Sequence, residues 1–270
     1  MVTVSGGGTI PLVAVVAGSD PSTGAGLQAD LRTLEKLGVA AATVVSAVTV
    51  QAGAAVVEVE PVAARLIKAQ FAEVLKRLPV TAVKTGLLPL PESVSVLAGL
   101  LRGHGLPLVI DPVLEAGAGG RLAAPGVAEA LATELFPLAR VVTVNLAEAE
   151  VFAGFKVDSS QAMAEAARTI GRLGPKAVVV KGGHLSGDPV DLLWDGQRML
   201  RMRGSRIGKA QMHGSGCAYA SALAAVLARG GNLQDAVRGA RRHVRWLIAS
   251  AQPLGGRLMR RPPFPQTRSD

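Results

Sequence analysis

The sequence predicts an α/β fold, a parallel sheet covered on both faces by helices, and three observations predict it. Apolar runs of strand length alternate with helical stretches along the chain, the pattern of βαβ crossovers. Those runs are rich in Val, Ala and Leu, as strands buried on both faces must be. Polar and glycine-rich segments follow the runs directly, at the strand ends where open sheets of this kind bind ligands.

Taken in order, Leu12–Gly18 reads as a strand. Gly24–Leu37 reads as a helix, with Leu27, Leu31, Leu34 and Leu37 at helical spacing. Val39–Val50 is strand-like, and Pro61 opens a helix to Leu78, since proline suits a first turn. Ala82–Lys84, Leu106–Ile110, Arg140–Val144 and Ala177–Val180 are further strands. Pro91–Arg102, Pro125–Leu135 and Ser159–Leu173 are the helices among them. Val190–Trp194 and Met199–Met202 flank Asp195-Gly196, a hairpin signal. Gly214–Ala228 and Leu233–Ala251 are the last two helices. No internal repeat or linker interrupts the 270 residues, so one domain is expected, with a core over about 10–255 and a basic tail over 256–270.

Composition narrows the function classes. Hydrophobic residues make up 49% and charged residues 18%, which excludes a disordered chain or a coiled coil. The single cysteine, Cys217, excludes a disulfide framework and any cysteine-based zinc or iron–sulfur site, and points to a reducing, cytoplasmic setting. Residues 1–19 lack the basic start of an export signal. Residues 37–57 carry no charge, but Thr43, Ser46, Thr49, Gln51 and Gly53 interrupt them, so a buried strand with a turn is expected rather than a membrane span. The formal net charge is +9, and nine arginines against two acids crowd the stretch from Arg229 onward. That stretch reads either as a polyanion patch or as the solvated face of a terminal helix with a frayed tail. Without interleaved aromatics or a nucleic-acid motif, no nucleic-acid partner is expected.

Two common phosphate loops fail. Gly204 and Gly208-Lys209 have the wrong spacing for a Walker loop, and Ala29 stands where a dinucleotide fingerprint needs its third glycine. A different anion site is present at His213-Gly214-Ser215-Gly216-Cys217. Glycines there let the backbone approach a ligand, and the small-residue helix that follows points unpaired N–H groups at it. Charge developing on a phosphoryl group over Gly214–Gly216 would be stabilised without any side chain. Cys217 lies in the first turn, where a thiol is biased toward thiolate; a small buried packing cysteine is the other reading.

The segments AGSDPSTGAGLQADL (Ala17–Leu31), KTGLL (Lys84–Leu88), DPV (Asp111–Val113), NLAEAE (Asn145–Glu150), KGGH (Lys181–His184) and HGSGC (His213–Cys217) occur in this order. The set resembles the hydroxymethylpyrimidine/phosphomethylpyrimidine kinases of thiamine biosynthesis, in the ribokinase-like superfamily, over roughly residues 10–255. The resemblance implies a three-layer α/β/α fold with a mostly parallel central sheet. It implies ATP- and Mg²⁺-dependent phosphorylation of 4-amino-5-hydroxymethyl-2-methylpyrimidine and then of its monophosphate, in a cytoplasmic homodimer.

The resemblance also assigns residues. Cys217 is implied as the base that takes the alcohol proton, beside the anion hole of Gly214, Ser215 and Gly216. Gln51 is implied as the pyrimidine-recognising residue, a carboxamide that can both donate to a ring nitrogen and accept from an amine. Gly18, Asp30, Leu87 and Val113 match other pocket positions, and Asp30 reads equally as a helix-face charge. Lys181, Asn145 and His213 are implied at the ATP phosphates. Glu148 and Asp111 are implied at Mg²⁺ through water, and Glu148 could instead serve a helix first turn. The sequence departs from the family at Ala52-Gly53 and over Leu114–Gly120, where Glu115 would repel a phosphorylated substrate. A pyridoxal/pyridoxine kinase of the same superfamily and a non-catalytic ligand- or polyanion-binding module remain as alternatives.

Overall fold

The computed structural model describes residues 9–52, 55–116, 120–183, 185, 187–207, 212–254 and 259–261. Gly53, Gly117, Gly119, His184, Gly208, Lys209 and most of the basic tail lie outside the described residues.

A nine-stranded sheet runs in the order β3-β2-β1-β4-β5-β6-β7-β8-β9. Strands β1 (Leu12–Ser19), β2 (Ala40–Ala52), β4 (Val80–Thr85), β5 (Leu108–Ile110), β6 (Val141–Val144) and β7 (Val178–Lys181) are mutually parallel. Three antiparallel strands finish the two edges: β3 (Ala55–Pro61) on one side, β8 (Val190–Trp194) and β9 (Met199–Arg203) on the other. The Asp195-Gly196 hairpin therefore joins β8 to β9 as expected.

Successive side chains of a strand face opposite ways, so one apolar run feeds two cores. In β1, Val13, Val15 and Ala17 enter the core beneath α1 (Gly26–Lys36), α7 (Ser215–Ala228) and α8 (Leu233–Ser250). Ala14 and Val16 enter the opposite core. That core lies beneath α2 (Ala64–Arg77), α3 (Pro91–Leu101), α4 (Val127–Ala130), α5 (Leu146–Ala153) and α6 (Ser160–Gly171). The protein is thus a three-layer α/β/α structure with a mostly parallel central sheet. No helix among the described residues is long and apolar enough to cross a membrane.

Four expectations need correction. The uncharged segment 37–57 is not buried throughout: beyond Ala47, β2 and β3 form an edge hairpin that leaves Val48, Val50 and Val57 exposed, Val57 at 78%. Pro61 does not open a helix but ends β3 opposite Ala47, an edge position where its missing N–H costs nothing, and α2 starts at Ala64. Residues 146–153, read only as a motif, form α5. Near the C-terminus, β10 (Gln252–Leu254) pairs antiparallel with β11 (Met259–Arg261), so part of the tail is strand rather than frayed coil.

Candidate active site

The parallel strands place their C-terminal ends side by side, and the polar residues gather there. Asp111 follows β5, Asn145 follows β6, and Lys181 ends β7. Lys181 Nζ donates to Asp111 Oδ1 at 2.9 Å, and Thr143 Oγ1 lies 3.3 Å from the same oxygen. Burial would push the Asp111 carboxyl up, but Lys181 and Lys84 hold it below the usual carboxylate range. Lys181, in turn, is raised against the effect of burial by Asp111 and Glu148.

The N-terminus of α7 comes down onto this pair. A Cβ on Gly216 would lie 3.4 Å from Lys181 Nζ and 3.8 Å from Asp111 Oδ2, so the bare backbone of the turn stands directly against both charges. Gly214 caps the helix with φ +79°, and a Cβ there would run into the Gly24 carbonyl oxygen. Lys181 and Asp111 are therefore neighbours of Gly216 in the turn Gly214-Ser215-Gly216.

Asn145 and Glu148 close a reciprocal capping box on α5. Asn145 Oδ1 accepts from the Glu148 amide at 2.8 Å, and Glu148 Oε2 accepts from the Asn145 amide at 2.8 Å. Burial pushes the Glu148 carboxyl up to about 7, opposed by Lys181 and reinforced by Asp111. The helix-end role considered for Glu148 is thus real, and it holds the carboxyl close enough to Lys181 and Asp111 to interact with both.

Cys217 is partly buried, and the backbone of Gly26 lies close enough to its sulfur to favour the thiolate slightly. The expected thiolate bias is overturned for the ligand-free protein. Burial pushes the thiol up to about 12, with Asp30 and Asp111 adding to the effect and Lys84 opposing it. Two nearby carboxylates and loss of solvent outweigh the first-turn position.

Asp30 is the second correction. It is 0% exposed, and both carboxylate oxygens are taken, by Lys84 Nζ at 2.9 and 2.8 Å and by Ser221 Oγ at 2.7 Å. It underlies the site rather than meeting a ligand. Burial would discharge Lys84, but Asp30 keeps its ammonium well above the ordinary lysine range. Lys84, quoted within KTGLL but assigned no role, and Ser221, which the sequence reading missed, are functional candidates. Their signal was a lysine inside an apolar strand and a serine four residues after Cys217, on the same face of α7.

The remaining residues lie at or just beyond the ends of β1, β2, β4 and β5. Leu87 is buried against Gly18, where a Cβ would stand 3.0 Å from Leu87 Cδ2. Val113 is half-buried just beyond Asp111. Gln51 lies near the end of β2, at a register shift between Val50 and Gln51 that re-aims the strand. Asp20, placed by the sequence at a strand end but given no role of its own, is 2% exposed. Its Oδ1 accepts from the Ser22 amide at 2.8 Å and Ser22 Oγ at 2.6 Å, its Oδ2 from the Ala25 amide at 2.8 Å, and His213 Nε2 lies 3.3 Å from Oδ2. Asp20 stood within the quoted motif, but its Ser-Asp-Pro setting reads as an ordinary turn.

Known proteins match this arrangement over nearly the whole chain. A hydroxymethylpyrimidine/phosphomethylpyrimidine kinase from Streptomyces coelicolor is 41% identical over 248 residues, 92% of each chain. Among solved structures, an ADP complex of Bacillus subtilis pyridoxal kinase superposes with a TM-score of 0.85 at 31% identity, covering 94% of this chain and 98% of that one. A phosphomethylpyrimidine kinase from Clostridium difficile superposes with a TM-score of 0.77 at 34% identity, covering 88% and 98%. Residues 20–260 match the phosphomethylpyrimidine kinase family, and with the three-layer α/β/α architecture and the polar strand ends already in place, the chain belongs to that family.

Proposed function

We propose that this enzyme transfers the γ-phosphoryl group of ATP to the hydroxymethyl oxygen of 4-amino-5-hydroxymethyl-2-methylpyrimidine, and then phosphorylates the monophosphate to the diphosphate. The observation that carries the reading is the convergence of Lys181, Asp111 and Cys217 on the glycine turn at the head of α7. In the transfer, the alcohol oxygen bonds to the γ-phosphorus while the bond to the β-phosphate oxygen breaks and ADP leaves. The amides of Gly214–Gly216 and the Lys181 ammonium stabilise the charge on the passing phosphoryl oxygens. The alcohol proton passes to Cys217 Sγ. This requires the thiol to ionise first, which the Lys84 ammonium and the Gly26 backbone favour.

The donor set fits Mg²⁺. Among the described residues no cluster of three or more acidic, histidine or cysteine ligands could cage a metal. An ion of this kind takes one or two carboxylates and completes its shell with water and substrate phosphates. Glu148 and Asp111 would hold it, and it would neutralise charge on the phosphates. Glu115, whose charge would repel the monophosphate, forms an isolated backbone bridge with Arg121.

The exposed valines of the β2–β3 hairpin support a homodimer, and the single free cysteine supports a cytoplasmic setting. Sedimentation at micromolar concentration tests the first; a monomer counts against it. The test of function is single-turnover phosphorylation at saturating ATP, Mg²⁺ and pyrimidine. Cys217→Ala should lose about 10²–10⁴-fold in rate while still binding the pyrimidine. A variant within about threefold of wild type, well short of that range, would leave Cys217 as a packing residue. Pyridoxal run in parallel should turn over more slowly, and the reverse order would favour the pyridoxal kinase alternative.

A further inference from the structure

The chain that leaves β7 is held by two arginines that the phosphoryl transfer itself does not use. Lys181 ends the strand, and the Gly182 amide that follows donates to Asp191 Oδ1 at 3.1 Å. Asp191 lies opposite Lys181 in the β7–β8 ladder, and its Oδ2 pairs with Arg241 Nη1 of α8 at 2.7 Å. These two side chains are only 10% and 11% exposed, so one arginine of the basic stretch is an internal brace. A Cβ on Gly182 would run into the Val190 carbonyl oxygen, which leaves the backbone pressed against β8. Arg206, just past β9, takes over from there. Its Nη1 donates to the Gly183 carbonyl at 3.0 Å, its Nη2 to the Leu185 carbonyl at 2.6 Å, and its Nε to the Gly187 carbonyl at 2.9 Å. The Arg206 amide donates to Asp188 Oδ1 at 3.1 Å.

One guanidinium thus gathers three carbonyls of a single short stretch, which takes a planar fork of fixed donors and not a point charge. Arg206 stands eight residues before Gly214 in the chain, so it also ties the approach to the anion hole to the exit of β7. The place of this stretch in the sheet decides which substrate it serves. Gly18, Gln51, Leu87 and Val113 lie at or just beyond the ends of β1, β2, β4 and β5. Strand β7 is four places from β1 in the sheet order, about 19 Å at ordinary strand spacing. A small ring at β1 does not extend that far, whereas the polyphosphate over Lys181 lies beside the exit of β7. Carbonyl oxygens repel phosphate, and the guanidinium engages the negative ends of these three. A stretch fixed in advance also spares the nucleotide the entropy of ordering it. We propose that Arg206 is a positioning residue for ATP, which fastens the chain after Lys181 in its nucleotide-ready form. The inference rests on the kinase reading and adds to it a residue that sets nucleotide affinity without touching the alcohol substrate.

The experiment measures KM for ATP, KM for the pyrimidine and kcat in wild type, Arg206→Ala and Arg206→Lys, with ADP binding by calorimetry beside them. In Arg206→Ala, KM for ATP and Kd for ADP should both rise at least about tenfold, the cost of ordering one or two residues on binding. The pyrimidine KM and kcat at saturating ATP should stay within about threefold of wild type, because the bound complex is the same once formed. Arg206→Lys keeps the charge but loses the fork, so it should show most of the same loss. Full recovery of ATP affinity in Arg206→Lys would make the role one of charge alone and overturn the proposal. So would an unchanged KM for ATP, or an equal rise in both KM values, the mark of a merely structural role. Arg206 is exposed, and Arg206→Lys carries the same test should Arg206→Ala fold poorly. Wild type that binds ADP but phosphorylates no pyrimidine would overturn the proposed function, and the ADP measurements would still decide the role of Arg206. Wild type that binds no ADP would overturn both.

Discussion

Gly214 and Gly24 meet backbone to backbone: a Cβ on Gly214 has no room beside the Gly24 carbonyl oxygen. The loop after β1 and the cap of α7, almost two hundred residues apart, are thereby fitted to one another. The positive φ of Gly214 alone disfavours alanine by about 1–2 kcal/mol, and the clash adds to it. Gly214→Ala should lower thermal stability and abolish most turnover, because the amides of the anion hole move with the cap. Near-normal turnover with a reduced melting temperature would show that the hole tolerates displacement.

The layers were legible because each parallel strand is an apolar run bounded by polar punctuation, and β1 shows how one such run fills two cores. The β2–β3 hairpin was not, since Val48, Val50 and Val57 look the same in sequence whether covered or exposed. Helix α5 has eight residues, too few for a helical period to declare itself, although Asn145 and Glu148 at capping-box spacing mark its start. The site was legible as a set of strand ends but not as a set of pairs. Asp30 stands between Leu27 and Leu34 at spacings of three and four, so α1 buries it with them. Its partner Lys84 is 54 residues away, a relationship that only the sheet reveals.

Cys217 allows a direct measurement, because it is the only cysteine in the chain. Burial pushes its thiol up to about 12 in the ligand-free protein. Initial rates of iodoacetamide alkylation should be slow at pH 7 and keep rising tenfold per unit through about pH 10, in line with thiolate fraction. A plateau below about pH 8.5, the value of an ordinary thiol, would mean that Lys84 and the helix terminus outweigh burial.

Glu148 bears on the metal. If it holds Mg²⁺ through water, Glu148→Gln should raise the Mg²⁺ concentration for half-maximal turnover by roughly 10–100-fold, the range for residues that support a metal indirectly. The amide can still accept from the Asn145 N–H, so the cap of α5 and the melting temperature should change little. An unchanged Mg²⁺ dependence would leave Glu148 as a capping residue only.

Lys84 and Asp30 form an ion pair with both side chains fully buried, and Ser221 completes it. Removing one partner of such a pair strands the other charge and costs about 3–5 kcal/mol, whereas replacing both by apolar groups of similar volume is often neutral. Lys84→Met should therefore be strongly destabilised in denaturant titrations, and Lys84→Met/Asp30→Leu should recover most of the loss. The pH dependence has a definite sign. In wild type the Lys84 pKa is raised by Asp30, so its contribution is present below about pH 10.4, the unfolded value, and is lost only as pH rises beyond it. In Lys84→Met, burial still pushes the Asp30 carboxyl up, now without the ammonium to oppose it. An acid whose pKa is higher in the folded state favours folding less as pH rises from its unfolded value of about 3.9. The deficit of Lys84→Met against wild type should then grow between about pH 4 and pH 8, a window above that unfolded value. A deficit flat over this range would mean that Asp30 is neutral in both proteins, and the pair would be a hydrogen bond rather than a salt bridge.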